Sequence, residues 1–259
     1  MAMAGSTFFR ASRWWVAAAL VGTAGAAGAQ AQSAEPIDAM AWRVQACSAC
    51  HGDQGRASPE GYFPRLAGKP AGYLFQQMQN FRDGRRSHAP MAYLLAHLTD
   101  DYLHEIAGYF SQRRVPYPPP LRPQAAAQVL ARGQALVQHG DAARGLPACV
   151  ACHGAAMTGA LPVVPGLLGL SRDYLNSQLG AWQSGQRQAQ SPDCMADVAR
   201  KLSVSEVAAI SAWLAAQPVP QGGEPLQRLP QPAPLACAGL DTGAAAETSA
   251  KAIVRKEGG

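Results

Sequence analysis

Between residues 70 and 82, Tyr73, Leu74, Met78 and Phe81 fall at i, i+1, i+5 and i+8, roughly one face of a helix. Gly84 ends the stretch. A second helix is predicted from Thr99, whose hydroxyl suits an N-cap. Asp100 and Asp101 occupy its first turn, where carboxylates favour the helix dipole. It runs to about Arg113 and turns Leu103, Ile106, Ala107, Tyr109 and Phe110 inward. A shorter helical stretch precedes these, from Pro36 to Ala46. The run Val115-Pro116-Tyr117-Pro118-Pro119-Pro120-Leu121-Arg122-Pro123 breaks the pattern, because proline favours an extended, semi-rigid chain.

Beyond that break the pattern replays. Ala125 to His139 reads as an amphipathic helix containing Gly133. Tyr174-Leu175 lies 101 residues after Tyr73-Leu74, and Gly185-Gln186-Arg187 lies 101 after Gly84-Arg85-Arg86. Pro165 lies 101 after Pro64. Ser203 with Glu206 makes a capping box, and the last helix ends at Trp213-Leu214 where the first half has Tyr109-Phe110. The repeat covers a whole helical unit. It predicts two domains, 32–115 and 125–218, joined by a linker at 116–124 and followed by a Pro-, Gln- and Gly-rich tail over 219–259. The tail is expected to be extended and largely disordered.

The chain has 259 residues and few charged ones, with a formal net charge of +5. No basic cluster interleaved with aromatics accompanies that charge, which excludes a nucleic-acid-binding reading. Residues 1–31 read as a secretory signal. Arg10 and Arg13 form the basic end, Trp14 to Ala27 the apolar region, and Ala29-Gln30-Ala31 the cleavage site. The apolar run falls short of the ~20 residues needed to span a bilayer. The expected location is therefore the periplasm.

Two five-residue stretches then supply the chemistry: Cys47-Ser48-Ala49-Cys50-His51 and Cys149-Val150-Ala151-Cys152-His153. Cys-x-x-Cys-His is the attachment signature of a c-type haem. Thiols three positions apart reach the two vinyl groups of one porphyrin edge, and the following imidazole is a good iron ligand. Two covalent haem c groups are thus expected, with His51 and His153 as iron ligands. A ligating histidine gives its other ring N–H to an orienting acceptor, and the carbonyls of Pro64 and Pro165 are the candidates. Trp42 is expected to pack against the ring or the last helix. For the sixth ligand, Met91, His88 and His97 compete in the first half. His97 is matched by Lys201, and His88 has no histidine counterpart. Met91 and Met195 recur, each seven residues before a leucine, in what reads as a loop ahead of the last helix. They are the predicted sixth ligands. Arg86 and Arg187 are candidates to pair with haem propionates, the alternative being solvated arginines.

The Cys-x-x-Cys-His-Gly motifs, the Pro64–Leu74 and Pro165–Leu175 runs and the Met91 and Met195 stretches resemble tandem dihaem class I cytochromes c, the c-four type, over roughly residues 36–217. The resemblance implies an all-α fold of two cytochrome c-like domains related by pseudo-twofold symmetry. It implies a soluble or peripheral electron carrier with transient redox donors and acceptors, possible association with membrane complexes, and no catalytic residues. A dehydrogenase subunit, or a dihaem peroxidase or thiosulfate-type oxidoreductase, are the alternatives. Cys194 and Cys237 fall outside the pattern. An even remainder in an oxidising compartment suggests a disulfide; a Cys194 thiolate on iron is the other reading.

Overall fold

The computed structural model describes residues 39–240 except 59, 121 and 124. The expected signal at 1–31 and the tail beyond 240 lie outside the described residues.

The first half is built from α1 (Ala39–Arg43), α2 (Gln45–His51), α3 (Ala71–Arg82), α4 (Ala89–Leu95) and α5 (Asp100–Ser111). The second contains α6 (Ala127–His139), α7 (Cys149–His153), α8 (Arg172–Ser184), α9 (Cys194–Arg200) and α10 (Val204–Ala215). A short antiparallel pair, β1 (Gly159–Ala160) and β2 (Val164–Pro165), follows α7. Helix α3 packs against α4 and α5, and α8 against α9 and α10, so the predicted repeat holds in three dimensions. Each half has its own apolar core. Phe81, Leu103 and Phe110 lie in the first, and Leu136, Leu175 and Leu214 in the second. Nevertheless the described residues 39–240 fall within one compact unit.

Local chemistry accounts for the helix ends. The Thr99 hydroxyl accepts from Tyr102 N at 3.3 Å, and Ser171 does the same for Tyr174 at 3.1 Å. Ser203 and Glu206 form the reciprocal capping box at the start of α10. Gly133 is required by packing: a Cβ there would lie 2.2 Å from the Ala209 carbonyl oxygen, so glycine lets α6 and α10 cross closely.

Two expectations need correction. Met91 and Met195 lie within the short helices α4 and α9, not in loops; Pro90 sits in the first turn of α4, where its missing N–H costs nothing. Trp42 is 68% exposed on α1, which packs against α5, the last helix of the first half. Over residues 219–240 the tail is docked, because it finds backbone partners that composition does not reveal. Leu226 pairs with Ala160 in a parallel bridge, giving N–H···O bonds of 2.8 and 2.9 Å with Leu161 and Gly159. Glu224 meets Arg114 at 2.7 Å.

Glu206 caps α10 and also holds Arg132 at 2.5 Å and Arg144 at 2.8 Å. Hydrogen bonding from Arg144 is the largest cause that lowers its carboxyl from 4.5 to about 2. A depressed folded-state pKa gives stability that is complete above the unfolded value and lost as pH falls through the folded one. Glu206→Gln is therefore expected to destabilise the protein by about 2 kcal/mol near neutrality. Denaturant unfolding at stepped pH should show that difference shrinking as the pH falls from about 4.5 toward 2.

Candidate functional site

Both Cys-x-x-Cys-His stretches are helical turns, which places each histidine one residue after the second thiol and inside the fold. His51 and His153 are buried. Their Nδ1 atoms lie 2.9 Å from the Pro64 carbonyl oxygen and 2.8 Å from that of Pro165. A carbonyl only accepts, so Nδ1 carries the proton and Nε2 keeps its lone pair. Burial is the largest cause lowering both imidazole pKa values, which favours the neutral ring that a metal needs.

Both histidines line one continuous cavity of about 770 Å³, together with all four motif cysteines, Met91 and Met195. Its other walls are largely apolar, including Leu74, Phe81, Leu175 and Ile210. The four motif thiols are free, whereas Cys194 and Cys237 form a disulfide with Cα atoms 5.1 Å apart. Burial raises the Cys149 thiol to about 11, keeping it protonated in this apolar wall.

The two arginines singled out in sequence meet at the junction of the halves. Arg86 and Arg187 are 8% and 5% exposed and pair through an antiparallel bridge. Ser87 N donates to Gln186 O at 2.9 Å and Gln188 N to Arg85 O at 2.7 Å. Arg86 donates to Gln77 at 2.9 Å and to Gln178 at 2.5 Å. Arg187 donates to Gln178 at 2.8 Å and to Gln77 at 2.9 Å, completing a reciprocal set. The guanidiniums stack on Phe81 (4.4 Å) and Trp182 (3.8 Å). Burial first, and Arg86 second, lowers the Arg187 pKa. Gln77 and Gln178 also stand 101 residues apart, a signal present in the sequence but carried by neutral residues within the helices, where nothing else marks them as functional.

These residues fit haem c. Two imidazole Nε2 lone pairs, four free thiols and two thioethers surround an apolar space. Among the described residues no carboxylate pairs with Arg86 or Arg187, so both buried cations lack a counter-anion such as propionate. The buried Trp182 indole N–H, also on the cavity wall, has no partner among the described residues.

The fold and site define a class: two helical units in tandem, each presenting a c-type haem attachment motif to an enclosed apolar space. No family model matches the chain. A cytochrome c4 from Pseudomonas aeruginosa is 36% identical over 181 residues, 68% of this chain and 87% of that protein. A thiosulfate dehydrogenase electron acceptor from Thiomonas intermedia is 36% identical over 173 residues, 67% of this chain and 79% of that protein. Among solved structures, reduced cytochrome c4 from Pseudomonas stutzeri matches with a TM-score of 0.60 and 30% identity, over 70% of this chain and 98% of that one. The thiosulfate dehydrogenase TsdBA from Marichromatium purpuratum matches at 0.60 and 34% identity over 66% of this chain, which spans 36% of that longer chain. The protein belongs to the cytochrome c4 family of dihaem class I cytochromes. It carries two covalently attached haem c groups and acts as an electron carrier.

The Cys194–Cys237 bond closes a loop with a sequence separation of 43 residues and anchors the docked tail beside Met195. Loop-closure entropy for that length predicts a loss of about 2–4 kcal/mol in the Cys194→Ser/Cys237→Ser protein, measured by denaturant unfolding of the oxidised form.

Proposed function

We propose that the protein is a one-electron shuttle whose two haems are both six-coordinate, held by His51 with Met91 and by His153 with Met195. The observation that carries this reading is that each histidine and its methionine line the same cavity, at equivalent places in two repeated halves. Bound haem supplies a one-electron ferrous/ferric couple. The chain's own residues do the rest. Pro64 and Pro165 fix the imidazole tautomers, and the apolar walls exclude water. Arg86 and Arg187 take the propionates at the junction, where their missing counter-anions support the assignment. A thioether ligand raises the potential relative to a second histidine. With His51, Met91, His153 and Met195 holding the two irons, no open position would remain for a substrate, which supports a carrier over an enzyme.

The domain limits at 32–115 and 125–218 belong to this proposal, supported by two separate cores. So does a periplasmic location after removal of residues 1–31. Among the described residues no helix is long and apolar enough to cross a membrane. Redox partners dock transiently. The relatives named as thiosulfate dehydrogenase electron acceptors favour one particular donor, a thiosulfate-oxidising dehydrogenase.

Haem quantification should give two haems per chain. Met91→Ala and Met195→Ala should each abolish the methionine–ferric charge-transfer band of one haem and lower its midpoint potential; an unchanged spectrum refutes the ligand assignment. Adding thiosulfate and a thiosulfate dehydrogenase should reduce both haems.

A further inference from the structure

Lys69 takes no part in the reading above, yet it is 4% exposed and lines the haem cavity. It belongs to the first half. Its Nζ donates across the junction to the Gly166 carbonyl oxygen at 2.6 Å. Gly166 directly follows Pro165, whose carbonyl accepts the His153 N–H at 2.8 Å. That segment has little freedom: a Cβ on Gly166 would lie 2.5 Å from the Thr158 carbonyl oxygen. Among the described residues no carboxylate pairs with Lys69; burial first lowers the His153 pKa, and the Lys69 charge adds to it.

The arrangement has no counterpart in the first half. At the 101-residue repeat, Lys69 aligns with Leu170, which has no charge to return across the junction. Arg86 and Arg187 cross the junction in both directions and serve the two halves alike; beyond that pair, the second site alone receives a cation from the other domain. A positive charge in a low-dielectric interior favours the iron state with less positive charge, the ferrous one. Burial first, with the Arg65 charge second, lowers Lys69 to about 7, so the ammonium form predominates on the acid side of neutrality.

We propose that Lys69 is a positioning residue supplied by the first domain to the second haem: it clamps the Pro165–Gly166 turn that orients His153, and it raises the reduction potential of that haem above that of the first. This rests on the dihaem reading with His153 as ligand.

The test is a spectroelectrochemical titration of the holoprotein at mildly acidic pH, resolved into two one-electron components. The second haem's component is the one displaced by Met195→His. That displacement, with the wild-type haem count, checks the dihaem reading before any Lys69 variant is made. In Lys69→Met the second component should fall by about tenfold in its ferrous-to-ferric ratio, 59 mV for one electron, with the first unchanged. Lys69→Gln keeps a donor without charge and should fall in the same direction, while Lys69→Arg should restore the potential. Equal shifts in both components, or a second component at its wild-type value in Lys69→Gln, would overturn the proposal.

Discussion

The hydrogen bond from each motif histidine to a proline carbonyl is the contact on which the two sites depend. A Cys-x-x-Cys-His turn can bring an imidazole under a porphyrin, but it does not choose which ring nitrogen faces the iron. A carbonyl at Nδ1 makes that choice, because it can only accept. The same bond ties the turn to the segment that leads into the next long helix, α3 or α8. The loop, the helix and the wall of the cavity are thereby set in one register. Everything downstream, including the methionine-bearing helices that pack on α3 and α8, is placed relative to that ring.

Duplication explains why the junction looks as it does. Arg86 and Arg187, with Gln77 and Gln178, form a set in which each half repeats what the other does. Bringing two like charges together out of water is unfavourable. Stacking on Phe81 and Trp182 and shared amide oxygens offset part of that cost, and propionates would offset more. Two small cores thus fall within one compact unit, joined by polar contacts made twice.

The departures from symmetry are where the two sites acquire separate characters. Lys69 crosses in one direction only. The strap formed by residues 219–240 touches both halves: Glu224 meets Arg114 of the first, Leu226 pairs with Ala160 of the second, and Cys237 closes the disulfide beside Met195. Arg65, whose role no spacing suggested, stacks on Tyr117 at 3.8 Å and donates to the Val115 and Pro116 carbonyls, so the start of the linker is held down. None of these has a repeat partner, and comparison of the two halves could not reveal them.

What the sequence by itself determined is the part written in short-range spacing and in repetition. The two attachment motifs, the long helices with their Thr99 and Ser203 caps, the orienting prolines and the paired methionines are all local patterns, and the second copy sorts them from chance. What only the tertiary structure decided is the part made by residues far apart in the chain. The Arg86–Arg187 cluster, the reach of Lys69 to Gly166, the docking of the tail and the exposure of Trp42 depend on which surfaces meet. That is set by how the two cores pack and not by any periodicity along the chain. The 101-residue recurrence of Gln77 with Gln178 and of Arg86 with Arg187 marks the duplication but not the contact, and the unrepeated contacts leave no period to detect.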